Sequence, residues 1–341
     1  MRVALSLTAL IFGLGEVYAA SSLSPEAAKP ATREVFSAPL KELPTPYSPN
    51  AMRSVPFMAK PSDKPADTAF GAYQRGQYTT AFREATKRIA ADPKDAAAMT
   101  LLGELYNQGL GLKQDPVKAA EWYRLAAAQG DVHAMASLGL MSIDGRGGAK
   151  DMKAGRQWLE KAAEKGDTTA AYNLALILLG TGTDPDQARA ATLFRKAADG
   201  EIGAAQHDLG VLYLQGRGVT KDSTQAAEWF RRAADNGDLA GEVEFAILLF
   251  NGTGLPKDET RAARYFQHAA ARGNAIAQNR IARLFVVGRG VQKNLVEAAA
   301  WNLAASAQGL SDPWLDENLK GLEPTERQRA EALAADRAKV N

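Results

Sequence analysis

The sequence predicts an all-α fold, a solenoid of helix-turn-helix repeats, and three observations carry that prediction. A small residue recurs as Gly103, Gly139, Ala175, Gly210, Ala246 and Ala282, in steps of 36, 36, 35, 36 and 36 residues. A bulky apolar residue recurs as Trp122, Trp158, Leu193, Trp229, Tyr265 and Trp301, so four of the five tryptophans share one structural position. Between these columns, five of the six repeats carry a Gly-x-Gly pair: Gly109/Gly111, Gly145/Gly147, Gly216/Gly218, Gly252/Gly254 and Gly288/Gly290. A period this regular belongs to an array in which each repeat packs only on its neighbours. The single shorter step falls in repeat three, between Gly180 and Ala190, at the loop Thr181-Gly182-Thr183-Asp184-Pro185.

Composition narrows the function classes. Over 341 residues, 41 Lys plus Arg face 39 Asp plus Glu, a formal net charge of +2. That balance gives no electrostatic footprint for nucleic acid or for an anionic membrane surface. The chain has no Cys, which removes disulfides, thiolate nucleophiles and Cys-based metal sites.

Taken in order, the first element is an export leader over residues 1–19. Arg2 gives the positive start, Val3–Gly15 is an almost unbroken apolar run, and Val17-Tyr18-Ala19 presents small residues where a signal peptidase reads, so cleavage is expected after Ala19. The run is 13 residues long, short of the roughly 20 needed to cross a bilayer, and Glu16 interrupts its extension. An uncleaved anchor is the alternative reading. No Cys follows the cleavage point, so a lipoprotein anchor is excluded and the mature chain is expected to be periplasmic or secreted, with no integral span. Residues 20–66 hold nine of the 15 prolines, which fix φ and remove backbone donors. They read as a tether, either a plain spacer or a docking segment around Phe36 or Phe57.

Each repeat then reads as helix, turn, helix. In repeat four the helical pattern over Ala204–Gln215 stops at Gly216-Arg217-Gly218, because glycine accepts the left-handed conformation that ends a helix. The second helix starts from an acceptor side chain: Asp222 with Gln225, Asn294 with Glu297, or Asp115 followed by Pro116. A further break at Gly130, Gly166, Gly237, Gly273 and Gly309 returns the chain to the next repeat, with Glu201 at that position in repeat three.

The pattern Leu-Gly-x-x-Tyr-x-x-Gly-x-Gly-Val, followed by Asp, Lys-Ala, Trp, Ala-Ala and Gly, resembles the Sel-one-like repeat family, relatives of the tetratricopeptide repeats; Leu209–Gly237 is the best match. The resemblance covers residues 96–309 as six repeats and implies a right-handed α/α superhelix with an adaptor or scaffold role, commonly in the bacterial envelope. Residues 67–95 look like one tetratricopeptide-type unit through Tyr73, Gly76, Tyr78, Ala81 and Asp92-Pro93. Residues 310–341 read as a cap with a charged helix from about Thr325 to Lys339. Ala175, Ala246 and Ala282 depart from the family's glycine but keep the position small.

No chemistry-bearing frame competes with that reading. The Gly-x-Gly pairs follow no strand and do not continue as a nucleotide fingerprint, so they read as turn glycines. His133, His207 and His268 occupy three phases in three repeats, without His-x-x-x-His spacing. No catalytic residue, cofactor or metal ligand is assigned. The informative signal lies on the first helices. Counted from the small residue, positions −5, −1 and +3 form the core face, while −3, +1 and +4 lie opposite. That opposite face is apolar in repeats two to five: Ala136, Leu140 and Ile143; Tyr172, Leu176 and Leu179; His207, Val211 and Leu214; Val243, Ile247 and Phe250. It is polar in repeat one (Thr100, Glu104, Asn107) and in repeat six (Asn279, Arg283). Two readings stand: tight curvature buries the strip against adjacent repeats, or it forms a concave groove for an apolar segment of a partner protein. The expected function is a non-enzymatic scaffold for envelope or membrane proteins. A periplasmic regulator of a membrane sensor and a cell-wall glycan-binding or hydrolytic protein are the alternatives.

Overall fold

The computed structural model describes residues 67–338, so the leader and the whole Pro-rich tether lie outside the described residues. The described chain is helical throughout, sixteen helices and no strand: α1 (Thr68–Gln74), α2 (Tyr78–Ala91), α3 (Ala96–Gln108), α4 (Pro116–Ala128), α5 (Val132–Asp144), α6 (Met152–Glu164), α7 (Thr168–Thr181), α8 (Asp184–Asp199), α9 (Gly203–Gln215), α10 (Ser223–Asp235), α11 (Leu239–Asn251), α12 (Glu259–Ala271), α13 (Ala275–Val287), α14 (Leu295–Ala307), α15 (Pro313–Asn318) and α16 (Pro324–Ala338). Successive helices pair as expected for an α/α solenoid, and two compact bodies divide the chain at residue 200.

Capping explains why the breaks fall where they do. All six first helices of the repeats, α3 to α13 in alternation, end on a left-handed glycine: Gly109, Gly145, Gly182, Gly216, Gly252 and Gly288. An aspartate or asparagine side chain accepts the first free backbone amides at nearly every start, as Asp131 does from Ala134 N at 2.7 Å and Asp222 from Thr224 N and Gln225 N at 2.9 and 3.0 Å. The start of α9 departs from this pattern, because Ile202 precedes it with no side-chain cap. Just before it, Glu201 takes φ 60°, the only non-glycine with positive φ among the described residues. The carboxylate of Glu201 accepts from Arg232 at 2.9 Å, Asn236 at 2.7 Å and Gln206 at 3.2 Å, bonds that hold a residue where the other repeats use glycine.

The expected core face is observed at two of its three positions, while +3 is buried in repeats three, five and six and half-buried in repeats one, two and four as Tyr106, Ser142 and Tyr213. Positions −5 and −1 are buried in every repeat, for example Ala98 and Leu102, Ala134 and Leu138, Ala205 and Leu209. The residue after the tryptophan column fills the centre of repeats one to five: Tyr123, Leu159, Phe194, Phe230 and Phe266 are fully buried. This explains the small-residue column, since a Cβ added at Gly103 or Gly210 would lie 2.7 Å from the ring of Tyr123 or Phe230. In the tryptophan column Trp122, Trp158, Leu193 and Tyr265 are half-buried while Trp229 and Trp301 are buried, and cations cover ring faces: Lys161 Nζ lies 4.5 Å from the Trp158 ring centre and the Arg232 guanidinium 4.5 Å from that of Trp229.

The carboxy-terminal end is closed by α15 and α16. The carboxylate of Asp312 accepts from Arg283 Nε at 2.6 Å and Nη2 at 2.8 Å, from Asn279 Nδ2 at 2.6 Å, and from the Trp314 and Leu315 amides at 3.1 and 3.3 Å. The Arg283 guanidinium also lies 5.0 Å from the Trp314 ring centre. Burial works against the Asp312 charge, but Arg283 and Asn279 outweigh it and hold this carboxyl below its usual range. The polar face read in repeat six is therefore an internal lock: Arg283 is 1% exposed and Asn279 fully buried.

Candidate protein-binding face

The first helices carry the predicted strip, and the structure divides it. Leu140, Ile143, Tyr172, Val243 and Phe250 are buried, whereas Leu176, Leu179, His207, Val211, Leu214 and Ile247 are half-buried. The physical reason is that each first helix is flanked by helices on more than one side, and a helix apolar all round is one that its neighbours cover. Tyr172 stacks edge-on against Phe194 at 5.8 Å, and Phe250 lies under Arg289, whose guanidinium is 4.5 Å from its ring centre. These two complete the core rather than face outward.

In the body over 67–200, the surface part of the strip is Leu176 and Leu179 on α7. In the body over 201–338 it is His207, Val211 and Leu214 on α9 with Ile247 on α11, and Val211, Leu214 and Ile247 pack on the core beneath them. A polar row runs beside this apolar one at position −2, as Asp208, Glu244 and Arg280, spaced one repeat apart. His207 Nδ1 meets Asp208 Oδ1 at 3.1 Å. Burial works against the charged imidazolium, but the hydrogen bond and charge of Asp208, with the charges of Asp238 and Glu244, more than offset it and raise His207 to about 9. Burial and the neighbouring Arg283 bring Arg280 down to about 10, against the pull of Glu244 and Asp312. The strip in this body therefore has ionic character along one edge.

The other expected polar positions are also placed. Thr100 and Glu104 are buried and Asn107 is half-buried on α3. The three histidines stay apart: His133 is on α5, His207 on α9, and His268 on α12, where its Nδ1 is 2.6 Å from the buried Glu242 carboxylate. Among the described residues no group of three or more His, Asp or Glu is placed to hold a metal ion, and no helix is long and apolar enough to cross a membrane. Large apolar side chains exposed elsewhere, Val117, Leu125, Met152, Leu303 and Leu333, all lie on other helices than the first helices of the repeats.

The Gly-x-Gly pairs are turn elements with two separate duties, only one of which the sequence reading identified. The first glycine ends the helix in the left-handed conformation. The second lets the turn lie on the preceding repeat: a Cβ on Gly254 would be 2.1 Å from the Ser223 carbonyl oxygen, and one on Gly290 would be 2.1 Å from that of Glu259.

The Sel1 repeat family model matches residues 96–131, 132–167, 168–201, 203–238, 242–274 and 275–310. Among solved structures, the chain is similar to a Sel1 repeat protein from Oxalobacter formigenes, at 28% identity and a TM-score of 0.63, over 72% of this chain and 100% of that one. It is similar also to a protective antigen present in uropathogenic Escherichia coli strains and displaying an SLR fold, at 27% identity and a TM-score of 0.52, over 80% of this chain and 68% of that one. No curated protein matches the chain.

Proposed function

The chain belongs to the Sel1 repeat family, whose members are generally protein–protein interaction scaffolds, and we propose that it is a non-enzymatic adaptor which binds an apolar segment of a protein partner on the first-helix face of repeats four and five, within the body over 201–338. The observation that carries this reading is the half-buried apolar set Val211, Leu214 and Ile247, in which Val211 and Ile247 stand at the same register of successive repeats and all three pack on one core. Apolar surface arranged in register is what a partner's helix or extended segment can cover, whereas singly scattered apolar residues are ordinary surface. Export to the envelope is part of the proposal and rests on the leader pattern of residues 1–19, with residues 20–66 as the tether.

The test compares full-length protein with a Val211→Glu, Ile247→Glu variant and a Leu303→Glu control, each first shown to keep its helix content and melting temperature. Immobilised on beads and exposed to envelope extract, wild type and control are expected to recover the same protein. The double variant is expected to lose it by tenfold or more, about 1.4 kcal/mol, for charge placed in an apolar contact. Equal recovery by all three would move the site off this face.

A further inference from the structure

We propose that the first-helix face of repeat one carries a seat for one organic cation, the ammonium of a lysine or the guanidinium of an arginine that a partner protein presents. The inference rests on the adaptor reading above and adds the chemistry of the partner. Among the described residues the buried carboxylates are Glu104, Asp208, Glu242 and Asp312. Three of them meet a basic side chain: Asp208 has His207 at 3.1 Å, Glu242 has His268 at 2.6 Å and Arg272 at 3.7 Å, and Asp312 has Arg283 at 2.6 Å.

Glu104 does not. Its two oxygens accept from the Tyr123 hydroxyl at 2.6 Å and from the Gln108 amide, both neutral donors. The nearby Arg146 is engaged at the rim instead, with Asp144 at 3.3 Å and Asn107 at 3.3 Å. The surroundings add negative charge. Burial keeps His133 below its ordinary value although Glu104, Asp131 and Asp167 all favour its protonation, and those two aspartates serve as helix caps for Ala134 N and Ala170 N. Burial and the Glu104 charge also raise both Tyr73 and Tyr123. One turn before Glu104 on the same helix face, the Thr100 hydroxyl is buried without a hydrogen-bond partner.

A carboxylate withdrawn from water and met only by neutral donors is undercompensated. An arriving cation would gain charge-assisted hydrogen bonds there, and the half-buried Tyr73 ring supplies a face that attracts cations. A metal ion does not suit the place, since the described carboxylates and His133 do not converge as ligands.

The probe is a random heptapeptide library displayed on phage and selected on full-length wild type, with the best peptides then measured by calorimetry. The expected result is enrichment of Lys or Arg at one fixed position in a class of selected peptides, with a loss of about tenfold when that residue becomes Gln. Against a folded Glu104→Gln variant, which keeps the side-chain shape, the basic and Gln peptides are expected to bind equally. Gln108→Lys brings an ammonium of this chain to Glu104 from one turn away and is expected to abolish the basic preference, which keeps the test decisive if Glu104→Gln unfolds.

Peptides that are apolar only would overturn the cation seat and leave the adaptor face standing, whereas no selected peptide at all would overturn both. A basic preference that survives in Glu104→Gln would place the seat elsewhere. Displacement of the selected peptides by a synthetic peptide of residues 53–66, which holds Arg53, Lys60 and Lys64, would show that the occupant is this chain itself and overturn the partner assignment.

Discussion

Replacing Asp312 by alanine is expected to destabilise the carboxy-terminal body by about 3–5 kcal/mol, because it leaves a buried guanidinium without its counter-ion. Arg283 is 1% exposed, and two of its nitrogens bond the two Asp312 oxygens. The same substitution removes the cap of α15, whose first amides Asp312 accepts. Urea unfolding followed by far-ultraviolet circular dichroism would read the loss as a lower midpoint at unchanged slope. An Arg283→Leu, Asp312→Asn double variant is expected to recover most of it. Asn retains the capping oxygen, and an aliphatic residue stands at the same register in the two preceding repeats, Val211 and Ile247. The pH dependence follows in sign. The Asp312 carboxyl is held below its ordinary value in the fold, so its contribution is complete above the unfolded carboxyl's pKa and is lost as pH falls through the folded one. The Asp312→Ala variant should lose that part of the acid sensitivity.

Alanine at Gly254 or Gly290 is expected to cost about 2–5 kcal/mol, the sum of a left-handed backbone that disfavours Cβ and a steric overlap with the preceding repeat. Both residues have positive φ, 74° and 70°, and both would place a Cβ 2.1 Å from a carbonyl oxygen. Alanine at Gly309 is expected to cost only about 1–2 kcal/mol, since φ is 88° but nothing lies within 4 Å of the added Cβ. Thermal or urea unfolding of the three variants should therefore rank Gly254 and Gly290 together, well above Gly309. Equal costs at all three would mean that backbone conformation alone selects glycine and that the close approach between repeats contributes nothing.

Much of the repeat was legible in the sequence because its causes are local. Helix ends follow from Gly109, Gly145 and their equivalents, and helix starts from Asp115, Asp222 and Asn294, each acting within a few residues of itself. Glu201 was legible as a replacement for glycine because the period fixed its position. Burial across the strip was less legible, since it depends on how closely neighbouring repeats pack. Leu140, Ile143, Tyr172, Val243 and Phe250 have the same periodicity as Leu176 and Val211 yet lie in the core.

The tryptophan column marked the period, but the residue after it, from Tyr123 to Phe266, is the one that fills the centre of repeats one to five. A signal for the lock in repeat six was present but unused. Two columns turn polar together there, Arg283 in place of Val211 and Ile247, and Asn302 in place of Phe230 and Phe266. Their partners Asp312 and Asp316 stand in the segment that follows. The second glycine of each turn was read only as a turn residue because the carbonyl it approaches belongs to the preceding repeat.

The most direct measurement for the central claim is photo-crosslinking from single positions of the full chain in its native cells, with a benzophenone amino acid at Val211, Leu214 or Ile247 and, for comparison, at Val117, Leu125 or Leu303. The account predicts one protein adduct of common mass from the first three positions and none from the second three. Adducts confined to Val117, Leu125 or Leu303 would place the partner on the second helices and contradict the assignment of the binding face.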